Sequence, residues 1–249
     1  MALESLLPLA MAFFVVATLY TTVGHAGASG YLAVMALASM APEVMRPTAL
    51  ALNILVATLT VYRFHRAGYF FWQGLWPFLL GSVPMAAVGG SIHLPRGSYY
   101  AAVGAVLLVS AAYLAWRALV RITLPERVLG VKRIPAVALG AIMGLLSGLT
   151  GVGGGIFLSP ILLILGWAGP RTTAGISAPF ILVNSVIALS ANALSVQRLP
   201  QDTPWLAAAA LGGAVLGTWL GLEKLRQKGL LLVLALVMVL AGTKLLFWA

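Results

Sequence analysis

Two short glycine-rich stretches hold most of the residues in this chain that could do chemistry. The first is GHAGASG (24–30), with Gly24, His25, Gly27, Ala28, Ser29 and Gly30. The second is SGLTGVGGG (147–155), with Gly151, Val152, Gly153, Gly154 and Gly155. Glycine tolerates positive φ and weakens a helix interior. A helix that stops and restarts at such a stretch leaves N–H groups unpaired at the start of its second limb, and their partial positive charge suits an anion. The competing use of these glycines is close helix packing through small-xxx-small contacts. His25 is the one histidine inside an apolar segment and away from its ends. Two roles are open to it: carrying a proton near neutral pH, or resting neutral against a carbonyl freed by the break.

Asn53 and Asn184 follow the two stretches, in ALALNILVA and PFILVNSVI. An amide in apolar surroundings needs partners, so these two either line a substrate path or hydrogen-bond between helices. Ser177, Ser185 and Asn192 lie close to Asn184 in sequence and add further donors. Arg46 and Arg171 open the same two segments, where an electrostatic funnel and ordinary interfacial anchoring are both open. The acids Glu4, Glu43, Glu126, Asp202 and Glu223 all fall in loops or at segment ends. That argues against a carboxylate-bound cation site. There is no cysteine, which removes disulfides, thiolate metal sites and cysteine nucleophiles together. No metal, cofactor or catalytic residue is expected.

The elements that must hold these residues are membrane segments. The chain has 249 residues, 61% hydrophobic and 8% charged, against about 25% charged in a soluble domain. Mean hydropathy is +1.04. Apolar segments fall at 5–40, 47–64, 70–94, 99–120, 135–168, 172–194, 205–222 and 230–248. All are expected to be helical, because a backbone in lipid must satisfy its own hydrogen bonds. One crossing takes about 20 residues. The first and fifth segments are too long for that and contain the glycine stretches, so each is expected to be two half-length helices around a break. The formal charge is +10. Its basic residues cluster at segment ends, as the positive-inside rule requires, so a nucleic-acid partner is not expected.

The two halves resemble each other. Gly24 and Gly27 align with Gly148 and Gly151 at an offset of 124, and MRPTA (45–49) aligns with PRTTA (170–174) at 125. Trp72, Gly81 and Gly89 then match Trp205, Gly213 and Gly221 at offsets of 132 to 133. The expected organisation is an N-terminal membrane repeat (1–120), a basic linker (121–134) and a C-terminal membrane repeat (135–249). If each broken segment enters and returns, the repeats are inverted and the basic residues divide 11 inside against 4 outside. If every segment crosses, the division is 9 against 6. The first arrangement fits the positive-inside rule better. The fold expected is therefore an all-α polytopic membrane protein of two inverted-topology repeats. Each repeat has a glycine-broken re-entrant or hairpin helix followed by three transmembrane helices.

GLLSGLTGVGGGIFLSPILLILGW (144–167) resembles the signature segment of the TauE/SafE family of sulfite and organosulfonate exporters. GHAGASGYLAVMAL with MRPTALALNILVA resembles the first half of short members. The family's glycine motif matches Gly148, Gly151, Gly153, Gly154, Gly155 and Pro160, whereas the first half departs from the GGG pattern, with Ser29, Gly30 and Tyr31 set against Gly153, Gly154 and Gly155. The resemblance implies a secondary carrier in a bacterial plasma membrane, exporting sulfite, sulfoacetate or a similar organosulfonate. It implies a small anionic substrate, the lipid bilayer as surroundings, and a monomer or homodimer. Substrate is expected near the midplane between the breaks. An anion channel of the same architecture is one alternative. The other is an intramembrane serine protease, since GASG (27–30) fits the GxSG motif of rhomboid-like enzymes with Ser29 as nucleophile and His93 as a conceivable base.

Overall fold

The computed structural model describes residues 3–120, 124–222 and 228–247; Arg121 and most of EKLRQK (223–228) lie outside them. Among the described residues the fold is all-helical. The helices are α1 (Leu3–Thr21), α2 (Ala28–Leu37), α3 (Pro42–Arg66), α4 (Trp72–Ser91), α5 (Arg96–Leu119), α6 (Arg133–Thr150), α7 (Gly155–Ile164), α8 (Pro170–Ser190), α9 (Thr203–Leu222) and α10 (Lys228–Phe247). A 3-10 turn at Ala193–Arg198 leads into α9. Five helices, α3, α5, α6, α8 and α9, are long and apolar enough to cross a membrane. The expectation of three spanning helices after each break is thus met for α3, α5, α8 and α9. α4 has 20 residues but carries glutamine, four glycines among its buried positions and two internal prolines, which dilute its hydropathy.

Both over-long segments break where expected, but not into halves. α1 has 19 residues and α2 has 10; α6 has 18 and α7 has 10. At 1.5 Å per residue the long limbs reach about 27 to 29 Å and the short ones about 15 Å. The break sits late because left-handed backbone is needed at Gly24 and Gly27 in one segment, and at Gly151, Gly153 and Gly154 in the other. By conformation Gly24 pairs with Gly151 and Gly27 with Gly154. This register is three residues on from the sequence alignment, which had set Gly148 and Gly151 opposite them. Gly148 is ordinary helix.

Gly148 belongs instead to a packing stripe. Gly140, Gly144 and Gly148 of α6 lie in turn against the backbone of Phe78, Ser82 and Ala86 of α4, so the two helices run side by side in one direction. A Cβ on any of the three would overlap that backbone. The second contact of this kind joins α9 to α1, where Gly213, Gly217 and Gly221 meet the carbonyls of Phe14, Thr18 and Thr22. Small residues let helix backbones approach this closely in an apolar solvent. Each long limb thus lies on a helix of the other half of the chain.

Two pairs of packed helices, α3 with α8 and α5 with α10, run antiparallel. In α3 and α8, Asn53 faces Ser185 while Tyr69, just past α3, faces Gly175. In α5 and α10, Gly104 faces Gly242 and Leu246, and Leu108 faces Gly242. Arg46 donates to the carbonyls of Gly89, Gly90 and Ile92 at the end of α4. Arg171 donates to Leu222 O at the end of α9, and to the Tyr69 hydroxyl. Both arginines therefore satisfy helix C-terminal carbonyls and interact well with the negative end of the dipole. Their guanidinium groups serve as caps and do not stand free in a funnel.

The outward surface is apolar even in mid-helix, at Leu80, Ile142 and Leu236 for example. The polar side chains are inside: His25, Ser29, Asn53, Ser159, Ser177, Asn184 and Ser185 are all buried. This is the distribution of a protein solvated by lipid.

Candidate functional site where the two breaks meet

The two breaks pack crosswise. Gly24 in the first lies against Ala174 of α8, where a Cβ would overlap. Gly151 in the second lies against Arg46 of α3, with a Cβ 3.1 Å from its carbonyl oxygen. Each break thus rests on the helix that follows the other. Between them, His25 reaches across: its Nε2 is 3.1 Å from Gly155 O and 2.7 Å from Ser159 Oγ. A carbonyl only accepts, so Nε2 carries the hydrogen and Nδ1 holds the lone pair. Nδ1 is buried with no hydrogen-bond partner. The ring's edge-on neighbour is Tyr113 of α5, 5.9 Å between centroids.

The polar chain continues from Ser159 Oγ to Ser177 Oγ, 2.8 Å away on α8. Asn53 joins from α3, its Nδ2 donating to Val152 O and Ser185 Oγ at 3.3 Å each, while Oδ1 is buried without a partner. A Cβ on Gly153 would press on Asn53 Nδ2, Ile181 and Ser185 Oγ; one on Gly155 would press on Ile181 and come 3.3 Å from the His25 ring. Gly154 is the N-cap residue of α7, at φ 80°, and Gly27 that of α2, at φ 99°. Ala28 and Gly155 are the first residues of those helices. His25, three residues before α2 begins, therefore meets the first residue of α7.

Several sequence-predicted residues stand differently. Gly30 faces Val16 and Tyr20 of α1, where a Cβ would overlap Val16. Ser29 Oγ lies 2.7 Å from the Tyr20 hydroxyl, which is also 3.2 Å from Met238 Sδ. Asn184 donates to Phe180 O in its own helix, and its Oδ1 is buried without a partner. Ser159 was not anticipated. Its signal was its place one turn after Gly155, on the face that His25 meets.

Residues 9–245 match the family described as sulfite exporter TauE/SafE. The chain belongs to the TauE/SafE family. It is also 39% identical over 243 residues to "Probable membrane transporter protein y4hK" of Sinorhizobium fredii (strain NBRC 101917 / NGR234), covering 96% of this chain and 97% of that one. No solved structure matches. TauE/SafE membership makes this a multi-pass integral membrane protein of a transporter family and not an enzyme. The protease alternative falls on geometry as well. Ser29 is engaged by Tyr20, and His93 contacts Asn192, 3.1 Å away at one end of the bundle.

Proposed function

We propose that this TauE/SafE protein is a secondary transporter. It exports a small sulfur-containing anion, sulfite or an organosulfonate such as sulfoacetate, across a bacterial inner membrane. The observation that carries the reading is the buried, unpartnered Nδ1 of His25 beside the starts of α2 and α7. The two helix starts supply N–H donors and positive dipole ends. His25 Nδ1 accepts from a protonated anion such as bisulfite, or takes a proton from water and then donates to a fully ionised sulfonate. In both cases anion and proton are held together.

Alternating access follows from two inverted repeats, with both termini outside. The antiparallel run of α3 with α8 and of α5 with α10 supports this. So does the return of the second broken segment toward its origin: Val128 and Leu129, just before α6, pair with Ala168 and Trp167, just after α7. Rocking one repeat against the other about a fixed site is the usual consequence of such symmetry.

The test is uptake of labelled sulfite into proteoliposomes by Gly153→Leu. A leucine there displaces the side chains of Asn53, Ile181 and Ser185, which already crowd the position of its Cβ. Uptake is expected to vanish while the variant stays monodisperse with a cooperative melt. Normal uptake would sink the assignment. Saturable, gradient-coupled flux marks a carrier; discrete single-channel currents would mark a channel.

A further inference from the structure

A cavity of about 60 Å³ opens at the end of the bundle where α3 and α5 begin. At about 10–15 Å³ per water-sized sphere it has room for about four waters, the size of one small oxyanion. Its wall includes Glu43, Arg46, His93, Tyr99, Asn192 and Arg198. The charge balance is basic: Arg198 is exposed at the cavity, and Arg46, while capping α4, still carries its charge in the wall, against a single acid, Glu43. One Glu43 oxygen is held 3.2 Å from Arg96 Nε and the other is buried without a partner. The N-termini of α3 and α5 add positive potential.

The floor leads to the second break. Arg46 presses on Gly151, and the Tyr99 hydroxyl donates to Thr150 O, the last residue of α6. The rim is tied by the contact of Asn192 with His93, which joins the turn after α8 to the loop after α4. Lys244 closes the same end by donating to Ala36 O, Leu37 O and Ser39 Oγ at the tip of α2.

We propose that this cavity is a second anion site, a vestibule that holds a small oxyanion or sulfonate group beside the second break. It is separate from the meeting point of the breaks and does not depend on transport by that site. The chain has no cysteine, so one engineered thiol reports on the cavity alone. Ser195 lines it, with its Oγ donating to Asn192 O.

The experiment uses full-length Ser195→Cys in phosphatidylcholine vesicles, where no anionic headgroup can occupy the cavity. Its rate of modification is measured with the sulfonatoethyl and the trimethylammonioethyl methanethiosulfonates. Each rate is divided by that reagent's rate with a free thiol. The anionic reagent is expected to be favoured by about tenfold or more, as focusing by a basic cleft produces. Added Arg198→Gln should bring the ratio toward one. Methanesulfonate should slow the anionic reagent alone. Equal normalised rates, a preference unchanged by Arg198→Gln, or no reaction with either reagent would each overturn the proposal. If Ser195→Cys melts early, Val196→Cys, exposed one residue on, takes its place with the same criteria. Labelling requires no flux, so a negative result here leaves the break site standing, and the reverse holds.

Discussion

His25 Nε2 stands 3.1 Å from the carbonyl oxygen of Gly155, a contact that spans 130 residues of sequence and joins the two broken segments. The bond fixes the ring's tautomer and leaves Nδ1 as its basic position. His25→Gln can preserve the donor to Gly155 but cannot take up a proton. The expected outcome is flux that no longer varies with pH across the range assayed. The measurement is proteoliposome uptake of a sulfonate whose own charge is constant over that range. An unchanged pH profile would assign His25 a structural role.

Gly153 sits at φ 81° with Asn53, Ile181 and Ser185 around it. Gly68 has nearly the same φ, 80°, with nothing near its missing Cβ. Left-handed backbone costs a non-glycine residue about 1–2 kcal/mol, so Gly68→Ala should lose about that much, and Gly153→Ala should lose more because its Cβ also overlaps Asn53 and Ile181. Only Gly153→Ala should also lose transport. Paired melting and uptake curves separate the two effects.

The α4–α6 contact is built on backbone against backbone. Gly144→Ala places a methyl group on Ser82 and must push the helices apart. Overpacking of this kind costs about 1–3 kcal/mol. A lower melting temperature is expected, and Gly148→Ala should behave alike against Ala86 and Gly90. A neutral result at both positions would show that the helices separate at no cost.

Arg171 donates to Leu222 O and to the Tyr69 hydroxyl, with its guanidinium 5.6 Å from the Tyr69 ring centroid. Arg171→Leu strands these acceptors. Losing a charged hydrogen-bond partner costs about 1.5–3 kcal/mol. The expected signature is an earlier melt with KM for the anion unchanged. A raised KM without loss of stability would restore the funnel role.

Much of the site was legible as residue types in sequence, and the reason is chemical. Glycine clusters inside over-long apolar runs have few uses in lipid, so Gly24, Gly27, Gly151, Gly153 and Gly154 stood out, and a lone His25 stood out for its burial cost. The register between the halves was not legible. Gly148 and Gly151 are the same residue type, one turn apart; one lies on α4 in ordinary helix and the other turns the chain at φ 86°. Nothing in their identity distinguishes a packing glycine from a turning one. Partners were hidden for the same reason: Asn53 and Asn184 look alike, yet one bridges to the second break and the other bonds within its own helix.

The sequence by itself determined the membrane class, the places where the chain breaks and the residue types available at the breaks. Those follow from hydropathy, segment length and the conformational freedom of glycine, which are local properties. Only the tertiary structure decided that the breaks meet, that His25 spends Nε2 on Gly155 and keeps Nδ1, that Ser159 joins it, and that Ser29 is taken by Tyr20. Those depend on which helices lie side by side. In this chain that is settled by backbone contact along the glycine stripes, between residues far apart in sequence.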